Sequence, residues 1–252
     1  MPGAVIYKGP SRLDDAPIVV IAVWQSKNSK TGDMVQTYIM REDIDPREAN
    51  KYGEDASICG DCPHKGVPTM DPDKVLATER TCYVTLGQGP LIVFNAYKRG
   101  SYPDYSGPGP HSRLKVRDIG TGRKVRIGTG RKVRIGTYGD GAAAPVHVWY
   151  DLLYWAEGMT AYTHQWRTVG NHMYMASVDS IEEAQEAWEM GLRTFRIIHD
   201  ESALTGAEIL CPSYTRGVHC EDCLLCDGTK RAHSIAIPKH GSGKVYFSST
   251  PR

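Results

Sequence analysis

Apolar and polar positions fall in short blocks along the chain, and the blocks predict strands and helices in alternation. Pro17–Trp24, PIVVIAVW, is a β-branched apolar run with the pattern of a buried strand. Asn28–Gly32 supplies turn residues, and Met34–Arg41 alternates loosely, which predicts the second strand of a hairpin. Asp43–Gly53, with Pro46 inside it, reads as a helical turn, and Leu91–Tyr97, LIVFNAY, as another buried strand. From Val133 the pattern becomes strand–helix–strand. VRIGTYGD is a strand ending in Gly139-Asp140. Pro145 then opens a helix striped by Trp149, Leu152, Leu153 and Ala156, with Gly158 as its stop. Thr160–Thr163 is a short strand running into His164. Tyr174–Val178 precedes a helix with Ser180 and Glu183 as a capping box, an Ile181, Ala184, Trp188 stripe, and Gly191 at its end. Thr194–Ile198, Glu208–Leu210 and Ser234–Ile237 read as the remaining strands.

Strand–helix–strand spacing implies parallel strands joined by right-handed crossovers. The expected fold is α/β, a partial (β/α) barrel or an open parallel sheet. A small N-terminal β unit is expected over residues 1–56, and an α/β domain over 57–252 that ends in a four-cysteine metal-binding loop.

The cysteines change the picture most. All seven fall into two groups: Cys59, Cys62 and Cys82, spaced C-x2-C-x19-C, and Cys211, Cys220, Cys223 and Cys226, spaced C-x8-C-x2-C-x2-C. Two-residue spacings let neighbouring thiolates reach one centre. The second group, with its compact triple and a remote cysteine followed by Pro212, has the pattern of iron–sulfur ligation; a zinc site closed by four thiolates is the alternative. In the first group Cys82 either joins Cys59 and Cys62 or is a buried thiol; if it joins, three thiolates leave a position open on a 4Fe-4S cluster, whereas on zinc His64 could close the shell. Asp140, His164, Asp179 and Cys211 each stand just past the C-terminal end of an expected strand, the edge at which parallel α/β folds bind ligands. Asp140, His164 and Asp179 are therefore the candidate catalytic residues.

Charge is balanced, with 30 Lys+Arg against 29 Asp+Glu in 252 residues, which argues against nucleic-acid binding by bulk charge. A local exception is the octet GRKVRIGT, repeated at Gly122–Thr129 and Gly130–Thr137 after the imperfect copy KVRDIGT. Over residues 115–134 it lines up Lys115, Arg117, Arg123, Lys124, Arg126, Arg131, Lys132 and Arg134, either as a solvated basic hairpin or as a nucleic-acid contact. No run reaches the ~18 apolar residues of a membrane span. The N-terminus lacks a signal-peptide core, and an odd number of clustered thiols fits a reducing cytoplasm.

ICGDCPH, TCYV, RIGTYGD, AYTHQWR, MASVDS, GLRTFRI and the LCPS to HCEDCLLCDG stretch, in this order, resemble an uncharacterised family encoded by bacteriophages and mobile elements. More distantly the layout is similar to radical S-adenosylmethionine proteins. That resemblance implies a partial barrel and a reactive cluster on Cys59, Cys62 and Cys82. It also implies S-adenosylmethionine bound near Gly139 and Asp140, and an auxiliary cluster on Cys211, Cys220, Cys223 and Cys226. The C-x2-C-x19-C spacing departs from the C-x3-C-x2-C of those proteins.

Overall fold

The computed structural model describes residues 3–24, 30–107, 115–117, 124–126, 129–170 and 173–239. It is a mixed α/β fold with two five-stranded sheets. The first has the order β1 (Gly3–Pro10), β2 (Pro17–Val23), β3 (Val35–Arg41), β6 (Lys132–Tyr138), β7 (Gly158–Thr160). The β1/β2 and β2/β3 pairs are antiparallel, while β3/β6 and β6/β7 are parallel. The second sheet, β11 (Glu208–Leu210), β12 (Ser234–Pro238), β10 (Thr194–Ile198), β9 (Met175–Val178), β8 (Tyr162–Thr163), is parallel throughout. The N-terminal strands expected as a separate unit thus share a sheet with β6 and β7.

The hairpin of β2 and β3 forms as its pattern predicts, and β1 adds an edge strand that the pattern did not reveal. Six consecutive residues of β2, Ile18–Val23, are buried, because the strand is covered on both faces. At about 1.5–3 kcal/mol for each fully buried large aliphatic side chain, this run is a principal source of core stability. Leu91–Tyr97 is not a strand. It lies in α3 (Gly89–Lys98), where Pro90, Val93, Phe94 and Ala96 are buried and Ile92 is exposed. The burial recurs every three to four residues, and Pro90 at the first turn supplies the helical φ, so helix periodicity overrides β-branched composition.

The helix after Pro145, α4 (Val146–Leu153), ends five residues short of Gly158, which instead begins β7. The run Thr160–Thr163 divides at Ala161. Its first part stays in the first sheet and its second part enters the other, with Ala161 itself bonded to Cys226 O and Met175 N. One continuous segment therefore links the two sheets.

Helix α5 (Ile181–Glu189) forms as expected. Ser180 Oγ accepts from Glu183 N at 3.1 Å, and Glu183 Oε2 accepts from Asp179 N at 2.8 Å. It packs Ala184 and Ala187 on Val178, Ala176 and Trp166. The opposite face of the second sheet carries Met175, Ile235, Ile237 and Cys211, with Tyr162, Phe195 and Cys226 packed against them.

The repeat gives two different structures. Its first two copies pair as an antiparallel ribbon, β4 (Lys115–Arg117) with β5 (Lys124–Arg126), whereas Lys132 to Arg134 of the third copy enters the first sheet in β6. Arg123 and His240 lie outside the described residues. Among the described residues no helix is long and apolar enough to cross a membrane.

A buried ion pair fixes the far side of the second sheet. Arg196 on β10 meets Glu208 on β11 through two bonds of 2.8 and 2.6 Å, with side-chain exposures of 6% and 0%. Burial alone would raise the Glu208 carboxyl, but Arg196 and Thr205 outweigh it and hold it below the ordinary glutamate range. The pair's contribution is therefore complete above that range and is lost as pH falls through the lowered value. Glu208→Ala, which strands the guanidinium, is expected to cost about 3–5 kcal/mol in urea unfolding at neutral pH. The variant is also expected to lose part of the acid dependence of stability. A loss below about 1 kcal/mol would show that the pair is solvated.

Candidate metal centre

Four parallel strands deliver the candidate residues where the sequence puts them. Asp140 follows β6, His164 follows β8, Asp179 follows β9 and Cys211 follows β11. Their roles differ. Asp140 is buried, with its carboxylate engaged by three donors at 2.9 Å: Ala142 N, Thr163 Oγ1 and His164 N. Its own N–H donates to Ile58 O at 2.6 Å, one residue before Cys59. Burial raises its carboxyl above the ordinary value, and the three donors partly offset this. Asp140 is thus built into the scaffold. Gly139 has φ 78°, and a Cβ there would lie 2.6 Å from Ile39 O, so the turn runs hard against β3.

The first cysteine group is assembled by backbone bonds. Cys59 ends α2 (Ala56–Cys59), and Cys62 N donates back to Cys59 O at 3.1 Å, closing the knuckle. Gly60 between them has φ 53° and faces the Gln165 side chain, which leaves no room for a Cβ. The nineteen residues from Pro63 to Thr81 are an excursion that returns. Val67 and Thr78 pair as an antiparallel bridge, with bonds of 2.8 and 2.9 Å. His64 O then accepts from both Thr81 N (3.1 Å) and Cys82 N (3.0 Å). Asn50, buried, braces the excursion through Asp55, Lys65 O and Ala77 N.

Burial raises the Cys59 thiol well above its ordinary value, and the neighbouring Asp55, Cys62, Cys82 and Asp140 push it the same way. Cys82 is also raised by burial, against the pull of the Arg80 guanidinium and the Val84 N–H. All seven cysteines are free thiols. Thiols crowded together and held protonated by burial become thiolates when a metal ion supplies the compensating charge.

The second group occupies the face of the second sheet opposite α5. Cys211 caps α6 (Pro212–Arg216), and Cys220 and Cys223 bound α7 (Cys220–Cys223). Cys220 N donates to Lys30 O at 2.9 Å, and Cys226 O accepts from Ala161 N at 2.9 Å. Arg193 holds the following loop through Leu225 O, Asp227 O and His233 O at 2.6–2.8 Å. Burial, then Cys211 and Cys220, push the Cys226 thiol up to about 12. Arg134 of β6 opposes this shift and sits over the Tyr162 ring at 5.5 Å. The sequence gives Arg134 no distinction from Arg126, its counterpart in the preceding repeat.

Among the described residues, no three cysteine sulfurs lie within 4.8 Å of one another. Around one tetrahedral zinc with bonds of ~2.3 Å, sulfurs would stand about 3.8 Å apart. His64, read from the sequence as the residue that could close a zinc shell with the first three cysteines, points Nε2 at Asp179 Oδ1, 2.7 Å away. Its other nitrogen lies 2.7 Å from Thr81 Oγ1. The adjacent CPH tripeptide was the available signal, but its partner is 115 residues away. Two cavities, of about 490 and 630 Å³, are lined respectively around Trp188 and Arg193 and around Tyr150 and Tyr174; neither contains a cysteine.

Comparison of the chain with protein-family models, with curated proteins and with solved structures found no match.

Asp140→Asn is a sharp test of the scaffold role. The amide must turn its NH2 toward either Ala142 N or the Thr163 and His164 donors, leaving buried donors opposed. A loss of about 2–3 kcal/mol in chemical unfolding is expected. A change under about 0.5 kcal/mol would mean the carboxylate is not held as described.

Proposed function

We propose that the chain is an iron–sulfur protein on a partial (β/α) barrel, with a three-thiolate, substrate-open 4Fe-4S site at Cys59, Cys62 and Cys82. A second, closed site at Cys211, Cys220, Cys223 and Cys226 completes it. The observation that carries this reading is the return of Cys82 to the Cys59–Cys62 knuckle through His64 O. That return offsets the long spacing between Cys62 and Cys82 and brings three thiols together, beside the ends of β6, β8 and β9. The run of parallel strands from β3 to β7, and from β8 through β9, β10 and β12 to β11, supports the barrel reading.

A cluster bound at the first group would supply one-electron chemistry and an iron with a vacant position. The chain's own residues would position it. Gly60 and Gln165 fix the knuckle, Arg80 offers positive charge to Cys82, and His164, itself paired toward Asp179, faces Cys62. S-adenosylmethionine, the ligand implied by resemblance, is the substrate class proposed for the vacant iron. Asp140 is not proposed to bind it, since three donors already occupy its carboxylate.

Anaerobic purification followed by iron, sulfide and zinc determination tests the reading. About eight irons and eight sulfides per chain, with a brown absorption envelope, are expected. Cys82→Ala should lose about half of that iron while Cys223→Ala loses the other half. A colourless protein with about two zincs and no reconstitutable iron would overturn the proposal and turn the search to binding partners, with the basic repeat the first surface to test.

A further inference from the structure

The thiols do not exhaust the metal-binding groups at this edge. One ligand atom from each of His64, His164 and Asp179 lies within 4.8 Å of the other two. His64 Nε2 is 2.7 Å from Asp179 Oδ1, and His164 Nε2 is 3.4 Å from Asp179 Oδ2. First-row divalent ions bind imidazole nitrogen and carboxylate oxygen at ~2.1 Å. At octahedral to tetrahedral angles, neighbouring ligand atoms then stand about 3.0–3.4 Å apart. The two histidine–aspartate spacings, one to each carboxylate oxygen, lie within a few tenths of an ångström of that range, and all three ligand atoms lie within 4.8 Å of one another.

Each donor is also held from behind. The other ring nitrogen of His64 is 2.7 Å from Thr81 Oγ1, which fixes the ring's orientation as outer-shell partners do. Asp140 Oδ2 accepts from His164 N at 2.9 Å, and Glu183 Oε2 accepts from Asp179 N at 2.8 Å. The two rings stand 5.7 Å apart at 69°, aimed at one carboxylate from two sides.

A hydrogen-bonded bridge of two imidazoles to one carboxylate would satisfy both rings. Here it does not. His164 Nε2 is buried and stands 3.4 Å from Asp179 Oδ2 without the alignment of a full hydrogen bond, with the Cys62 side chain as its other polar neighbour. A buried nitrogen left in this way is uncommon and calls for an occupant.

We propose that His64, His164 and Asp179 form a binding site for one divalent cation of the Mn2+ or Fe2+ class, built from nitrogen and oxygen donors. Two neutral imidazoles and one carboxylate leave further coordination positions for water or a substrate oxygen. The donors are a different set from the thiols and have a different preference, although His164 also faces Cys62. Hard and borderline ions choose nitrogen and oxygen over thiolate.

The probe is Mn2+ added to the anaerobically purified full chain, followed by electron paramagnetic resonance of free and bound manganese. Iron, sulfide and zinc are measured on the same samples. One bound Mn2+ per chain is expected. Asp179→Asn and His64→Gln should each weaken binding by at least about tenfold. Thr81→Val, which leaves all three donors in place, should weaken it by about tenfold to a hundredfold, and circular dichroism confirms that each variant is folded. Failure of the wild-type chain to hold Mn2+ at millimolar concentration would overturn the site, as would equal binding in all the variants. Absence of iron and sulfide with Mn2+ binding intact would remove the cluster reading and leave this one standing.

Discussion

The buried carboxylate of Asp140 is the constraint on which the rest of the edge depends. A charge taken out of water must be met by donors, and here they come from two pieces of the structure: Ala142 N in the turn after β6, and Thr163 Oγ1 with the backbone N–H of His164 at the end of β8. The Asp140 N–H reaches in the other direction, to Ile58 O in the helix that carries Cys59. One residue thus sets the distances between the cysteine knuckle, the strand edge and one imidazole. All three of these hydrogen bonds serve that geometry.

Around that anchor the edge sorts its polar groups by burial. The thiols are packed closely enough that burial and mutual repulsion favour their protonated forms. The Asp179 carboxyl goes the opposite way. Burial alone would raise it, and His164 and His64 outweigh burial and hold it well below the ordinary aspartate range. His164 is raised above its ordinary value by Asp179 and Cys62, although burial alone would lower it. A carboxylate kept ionised beside two imidazoles and thiols pushed toward their neutral forms are complementary halves of one environment.

The second cysteine group is organised from outside its own sequence. Lys30, Ala161 and Arg193 fasten its backbone, and Arg134 brings a positive charge from β6. None of these lies within the cysteine-rich stretch. The loop therefore seals one face of the second sheet by borrowing hydrogen bonds from three distant segments and a charge from a fourth, while α5 covers the other face.

Local pattern determined much of this protein. The hairpin of β2 and β3, the capped helix α5, and the strands ending at Asp140, His164, Asp179 and Cys211 follow from short-range periodicity and turn chemistry, which act over a few residues. Periodicity failed where two rules competed over a short run, as in Leu91–Tyr97, where the helical spacing of burial behind Pro90 prevailed over β-branched content. Long-range pairing was illegible. Nothing local announces that Cys82 returns to Cys62 through a carbonyl of His64, or that His64 meets Asp179. Nor does it announce that Thr160 and Tyr162 belong to different sheets. The repeat makes the division plain, since the same three residues KVR form a ribbon strand at Lys124–Arg126 and a sheet strand from Lys132. Identical sequence has identical propensity, so only the neighbours supplied by the tertiary fold could separate the two.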